Sequence, residues 1–235
     1  MTAPDSTNAL YGQSSQRTRD DRLTLLQRSS VYVLITEALC AAGWKQTAEA
    51  VLKAGADVLQ LREKDLSTAE LIRRSEWLRD LCAEHSALFI MNDNAELAAR
   101  CRADGVHLGQ TDVSVAEASG VLHADQLIGL STHNLQQLKA AHDLDVDYLG
   151  VGPMFSTTTK SFDSFSGPDY ASQAFEHAAL PWFAIGGINA DNLRQLTDCG
   201  VSRIAVCGTV ISAANSAVAV RELKDGLPAA DRIRG

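Results

Sequence analysis

From Val31 onward, brief apolar runs alternate with longer stretches of helical periodicity. The runs are VYVLI (31–35), DVLQL (57–61), ALFIM (87–91), GVHL (105–108), QLIGL (126–130), DYLGV (147–151), WFAIG (182–186) and RIAVC (203–207). They are apolar at consecutive positions and rich in Val, Ile and Leu, the pattern of strands covered on both faces. Between them, STAELIRRSEWLRDLCAEH, NAELAARCRA, NLQQLKAAHDL and NADNLRQLTDCG read as amphipathic helices. Ser67 and Glu70 have the spacing of a capping box, and Gly200 suits a helix C′ position. Eight strand–helix units without a second cluster predict an α/β fold, a closed (β/α)₈ TIM barrel in a single domain. The rival is an open doubly wound sheet, and no GxGxxG turn follows the first run to support it. Residues 1–28 are polar, with a short helical pattern only over Asp20–Arg28, and form an N-terminal extension to a barrel spanning 29–235.

Composition adds bounds. The 235 residues are 46% hydrophobic and 21% charged, which fits one packed domain. Twenty-nine acidic against 21 basic residues give a net charge of −8, which argues against broad nucleic-acid binding but permits a local basic pocket. Cys40, Cys82, Cys101, Cys199 and Cys207 are far apart and form no CxxC pair, so neither a disulfide framework nor a zinc site is suggested and reduced thiols are expected. No apolar run approaches the ~20 residues of a membrane span, and residues 1–16 lack the apolar core of a signal peptide. A cytoplasmic protein without membrane or nucleic-acid partners is expected; the sequence leaves homo-oligomerisation open.

A (β/α)₈ barrel carries its chemistry at the strand C-termini. After the second run, alternation sends Gln60, Arg62 and Lys64 to one side, two cations suited to an anion. Asn92-Asp93 follows the third run and Gly109-Gln110-Thr111-Asp112 the fourth, so two carboxylates stand at neighbouring strand ends, donors of the kind that hold Mg²⁺. Ser131-Thr132-His133 follows the fifth, and the sixth leads into a hydroxyl-rich loop ending in Lys160. Gly186-Gly187 and Cys207-Gly208-Thr209 end the last two runs, where barrels commonly cradle phosphate on backbone N–H groups. Each cluster has a plainer reading. Arg62 and Lys64 could pair with Glu63 or Asp65, and Asp93, Asp112 and Ser131 could be helix caps. His107 reads equally as a core or a catalytic histidine, whereas His133 can reach the barrel mouth; Cys207 has no base fixed beside it. The concentration of polar clusters at one end of the strands favours a site.

The motifs QLREKD, MND, GVHLGQTD, IGLSTH, YLGVGPMFSTTTK and AIGGI, in this order over residues 31–225, resemble thiamine-phosphate synthase, also called thiamine-phosphate pyrophosphorylase. The resemblance implies a TIM-barrel transferase that joins hydroxymethylpyrimidine diphosphate to hydroxyethylthiazole phosphate and releases pyrophosphate with Mg²⁺. It places pyrimidine-diphosphate contacts on Gln60, Leu61, Arg62, Glu63, Lys64, Asn92, Ser131 and Lys160, of which Arg62, Lys64, Ser131 and Lys160 are the catalytic set. It places metal ligands on Asp93 and Asp112, and thiazole-phosphate contacts on Thr157, Thr158, Thr159 and Gly187, with Gly186 beside them. Cys207 and Gly208 stand where the family usually has a Val-Ser pair, which removes a serine hydroxyl from the phosphate cradle and leaves Thr209 as the nearest replacement. Two rivals share the barrel: a thiazole tautomerase, which generally does not keep the cationic pair, both aspartates and the TTTK loop together, and a non-catalytic barrel that captures thiamine phosphate.

Overall fold

The structure is a computed structural model and describes residues 17–156 and 167–228. Eight parallel strands close on themselves in chain order: β1 (Val31–Ile35), β2 (Val58–Leu61), β3 (Leu88–Asn92), β4 (Gly105–Leu108), β5 (Leu127–Thr132), β6 (Tyr148–Val151), β7 (Trp182–Ile185) and β8 (Ile204–Val206). β8 returns to β1 with Tyr32 opposite Ala205. The expected barrel is therefore the fold, and the open sheet is excluded. Helix α1 (Arg19–Arg28) precedes the barrel. The outer layer is α2 (Trp44–Lys53), α3 (Thr68–Glu84), α4 (Ala95–Arg100), α5 (Val115–Val121), α6 (Leu135–Ala140), α7 (Gly167–His177), α8 (Ala190–Thr197), α9 (Gly208–Ile211) and α10 (Ser216–Asp225).

The period of two along each strand separates two cores. One set of residues, including Val33, Leu59, Leu61, Phe89 and Val151, packs outward under the helices. The alternate set, including Tyr32, Val58, Ile90, Leu127, Tyr148 and Phe183, fills the barrel interior. Ser67 caps α3 as its position predicts, accepting from the Glu70 N–H, but the capping box is incomplete: the Glu70 carboxylate is taken by Arg73 and Arg74.

Helix α1 closes the N-terminal end of the barrel. Its Leu26 is buried in the interior core, and its arginines, together with Arg17 just before it, bind aspartates at the strand entrances. Arg22 Nε donates to Asp104 Oδ1 at 2.9 Å and its Nη1 to Asp125 Oδ2 at 2.7 Å. Arg17 reaches Asp104 at 2.9 Å, and Arg19 reaches Asp147 at 2.6 Å. Two of these aspartates, Asp104 and Asp147, also belong to a repeat. Asp57, Asp104 and Asp147 immediately precede β2, β4 and β6, and each accepts an N–H from the first or second residue of the preceding odd strand, from Val31, Phe89 and Ile128. At the fourth such position stands Arg203, which donates instead to the carbonyls of Ser29 and Gln27 at the end of α1. The end opposite the site is thus held by backbone amides capped with carboxylates and a helix bound to them.

Candidate active site

The C-terminal strand ends surround one cavity of about 650 Å³. Gln60, Arg62, Lys64, Asn92, Asp93, Asp112, Ser131, Gly186, Gly187, Cys207 and Gly208 all line it. Leu61 and Glu63 do not: alternation turns Leu61 into the outer core, and Glu63 faces away. Glu63 Oε1 accepts from the Glu37 N–H at 2.7 Å and lies 3.6 Å from the buried Arg74, a geometry that braces the loop from outside. With Glu63 so engaged, Arg62 and Lys64 form no ion pair among the described residues, and the surface-pairing alternative for them falls. Thr157, Thr158, Thr159 and Lys160 lie outside the described residues.

The capping alternatives fall as well. Asn94 caps α4, accepting from the Leu97 N–H at 2.9 Å; Ser114 caps α5 and Asn134 caps α6. Asp93, Asp112 and Ser131 are left to the cavity. Asp93 holds a left-handed backbone at φ +60°, a region that costs most non-glycine residues on the order of 1 kcal/mol and that Asp tolerates better than most. Its N–H donates to the His107 carbonyl at 2.9 Å. Desolvation, and then the hydrogen bond to and charge of Asp112, push the Asp93 carboxyl up to about 6, against a smaller lowering from Asn92 and Arg62. Asp112 also accepts from the Gly109 N–H at 2.7 Å. Two carboxylates that resist joint ionisation are relieved by a cation between them. Two carboxylate donors are the hard oxygen chemistry that suits an ion keeping water and substrate oxygens, as Mg²⁺ does.

A pH dependence follows. The folded Asp93 carboxyl binds its proton more tightly than an unfolded one, so this contribution to stability is fully present below pH ~4 and lost as pH rises through about 6. Discounted for solvent screening, it amounts to about 1 kcal/mol, or ~2–4 °C in Tm. Without divalent cations, Asp112→Asn should raise Tm at pH 7.5 and leave it nearly unchanged at pH 4, as thermal melts would read; an equal shift at both pH values contradicts the shared-proton pair.

On the floor, a polar chain crosses the barrel. Gln60 Nε2 donates to Tyr32 Oη at 2.7 Å; Tyr32 and Tyr148 hydroxyls are 3.2 Å apart; Tyr148 Oη lies 3.2 Å from His107 Nδ1, and His107 Nε2 is 2.9 Å from Ser131 Oγ. Burial holds both tyrosines well above the ordinary phenol range, so they keep their protons. His107, open to two readings from sequence, is a cavity residue; His133 also lines the cavity, with Nδ1 2.6 Å from the Gly152 carbonyl. Tyr32 and Tyr148 escaped sequence reasoning because strand tyrosines read as core; the usable signal is that Tyr148 alternates with Gly150 and Gly152 on one strand face.

On the opposite wall, Gly186 (φ +105°) and Gly187 (φ +64°) form the turn after β7. A Cβ at Gly187 would come 2.3 Å from the Ser156 carbonyl oxygen, so only glycine lets the loop after β6 lie against this turn. Cys207 and Gly208 open the short helix α9 beside it. Thr209 lines the cavity, but its hydroxyl donates to the Ile188 carbonyl at 2.8 Å, so it does not replace the missing serine donor while that bond stands.

Residues 31–210 match the sequence profile of the thiamine monophosphate synthase family. The chain belongs to this family. Thiamine-phosphate synthase of Synechococcus sp. (strain WH7803) is 43% identical over 180 residues, covering 77% of this chain and 51% of that protein. The enzyme of the same name from Nostoc sp. (strain PCC 7120 / SAG 25.82 / UTEX 2576) is 39% identical over 206 residues, covering 87% and 57%. The chain thus spans about half the length of the curated relatives it matches. The solved thiamine phosphate pyrophosphorylase of Pyrococcus furiosus superposes with a TM-score of 0.79 at 30% identity, covering 90% of this chain and all of that one. The stretch shared with the thiamine monophosphate synthase family contains every strand and every cavity-lining cluster named above. Among the described residues no helix is long and apolar enough to cross a membrane.

Proposed function

We propose that this chain couples hydroxymethylpyrimidine diphosphate with hydroxyethylthiazole phosphate to give thiamine phosphate and pyrophosphate. The observation that carries the reading is one cavity lined by Arg62 and Lys64, neither in an ion pair among the described residues, with the Asp93–Asp112 pair and a glycine turn on opposite walls, on a chain of the thiamine monophosphate synthase family. Arg62 and Lys64, with Lys160 assigned by the family resemblance and lying outside the described residues, gather the negative charge that develops on departing pyrophosphate. Mg²⁺, held by Asp93 and Asp112, would supply further charge neutralisation to the diphosphate. Gln60, Asn92 and Ser131 hold the pyrimidine ring in place as its methylene becomes electron-poor, and Gly187 and Gly208 present backbone N–H groups to the thiazole phosphate. The thiazole nitrogen carries no proton to lose, so no general base is needed and the remaining task is positioning. A cytoplasmic location belongs to this reading.

Incubating the purified protein with both substrates and Mg²⁺ tests it. Pyrophosphate and thiamine phosphate should appear together, and a folded sample producing neither sinks the reading. Gly208→Ser restores the hydroxyl that the chain lacks and should lower KM for the thiazole phosphate by about tenfold, the worth of one charge-assisted hydrogen bond, with KM for the pyrimidine unchanged; an unaltered or higher thiazole KM counts against the cradle assignment.

A further inference from the structure

We propose that Arg74, on α3 outside the cavity, is a positioning residue: it holds Glu63 away from Arg62 and Lys64, so that both cations stay available to a diphosphate. The ligand rests on the function proposed above, and the placement of Arg74 on geometry alone. Glu63 stands between the two cations in the chain, and a carboxylate one residue from each competes with an anion for them. Its side chain instead turns outward, with Oε1 accepting the Glu37 N–H at 2.7 Å and lying 3.6 Å from Arg74 Nη1. The Arg62 backbone is fixed beside it. Its N–H donates to the Ile35 carbonyl at 2.9 Å, and its carbonyl accepts from Thr36 Oγ1 at 2.8 Å. Burial disfavours the Glu63 charge, which the Glu37 N–H and then the Arg74 charge offset in part; the Arg62 charge acts on it as well, so a released Glu63 has Arg62 as its next partner.

Arg74 is itself held rigidly. Its side chain is 7% exposed, with Nε donating to Glu70 Oε1 at 2.8 Å and Nη2 to Glu37 Oε2 at 2.6 Å. Its Cζ lies 4.7 Å from the Trp44 ring centroid, and Trp44 stands edge-on to Trp77 at 5.2 Å, so packing as well as carboxylates sets the guanidinium plane. Nη1 is buried and makes no hydrogen bond among the described residues. A buried N–H without a partner is costly, and the carboxylate this one faces is Glu63, which a shift of about 0.7 Å would bring to hydrogen-bond distance.

Calorimetry of the full chain with inorganic pyrophosphate at fixed Mg²⁺ tests the hold. Arg74→Met should weaken pyrophosphate binding by about tenfold, because the released Glu63 pairs with Arg62. Adding Glu63→Gln removes the competing charge and should return binding to within about threefold of the parent. In turnover, Arg74→Met should raise KM for the pyrimidine diphosphate by about tenfold and leave KM for the thiazole phosphate unchanged. A purely structural loss lowers the active fraction and moves neither KM. Arg74→Lys keeps the charge without the fork and should weaken pyrophosphate binding by about threefold. It replaces Arg74→Met if that variant does not fold, with Glu63→Gln again as the rescue. Binding within about twofold of the parent in every folded Arg74 variant, or a double variant no better than the single one, overturns the proposal. A parent that binds pyrophosphate but forms no thiamine phosphate removes the function above, and the binding series still decides the role of Arg74. A parent that binds no pyrophosphate overturns both.

Discussion

Asp93→Asn is expected to lower Mg²⁺-dependent kcat by about 10²–10³, equivalent to ~3–4 kcal/mol of charge stabilisation. Asn is the informative replacement. It tolerates the left-handed φ of +60° better than Ala and keeps the shape of the side chain, so the fold should survive. It also removes one of two carboxylates that resist ionising together, which means the variant should melt no lower than the parent at pH 7.5 without divalent cations. Loss of turnover with retained stability separates a ligand role from a structural one. Titration with Mg²⁺ should show a weaker half-saturation, and a parent-like Mg²⁺ profile would refute the assignment of Asp93. Arg62→Ala should lower kcat comparably, yet without moving the Mg²⁺ half-saturation as far, since the proposed function sets Arg62 on the diphosphate and Arg62 acts on Asp93 through its charge.

The barrel and most of the cavity wall could be read from the sequence because both rest on local periodicity. Runs of consecutive apolar residues separated by helical stretches leave few topologies, and the alternation after β2 correctly sends Gln60, Arg62 and Lys64 to one side. The same alternation argues against Leu61 and Glu63 as contacts; motif resemblance alone put them in the site, whereas one faces the outer core and the other the Arg74 brace. Capping was ambiguous at Asp93, Asp112 and Ser131 because Asn94, Ser114 and Asn134, close in sequence, offer the same chemistry, and only backbone geometry decides which residue caps. The floor was not legible. Its chain joins β2, β1, β6, β4 and β5, and contacts between residues 24 to 116 positions apart leave no local signature. The barrel entrance was half legible: Asp57, Asp104 and Asp147 recur one residue before alternate strands, a repeat that reads as ordinary turn composition until the amides they accept from are seen.

Arg22→Ala is expected to destabilise the chain by about 3 kcal/mol, the usual cost of removing one partner of a buried ion pair, or a Tm fall of ~6–12 °C for a chain of this size. The Arg22 side chain is 6% exposed and serves Asp104 and Asp125 together, while also donating to the Arg17 and Asp125 carbonyls. Without it, Asp104 keeps, among the described residues, Arg17 and the Phe89 N–H, and Asp125 loses its ion pair with Arg22. The loss should propagate along α1, whose Leu26 seals the interior core and whose end is tied to Arg203. Because the cavity opens at the other end of the strands, kcat and both KM values measured well below the melting range should stay within about twofold of the parent. Combining Arg22→Ala with Asp104→Asn tests the assignment: if the pair carries the effect, the double variant loses clearly less than the sum of the single losses. Additive losses, or an Arg22→Ala melting point within 1 °C of the parent by calorimetry and about ±0.5 kcal/mol in stability, would mean that α1 merely rests on the barrel rather than sealing it.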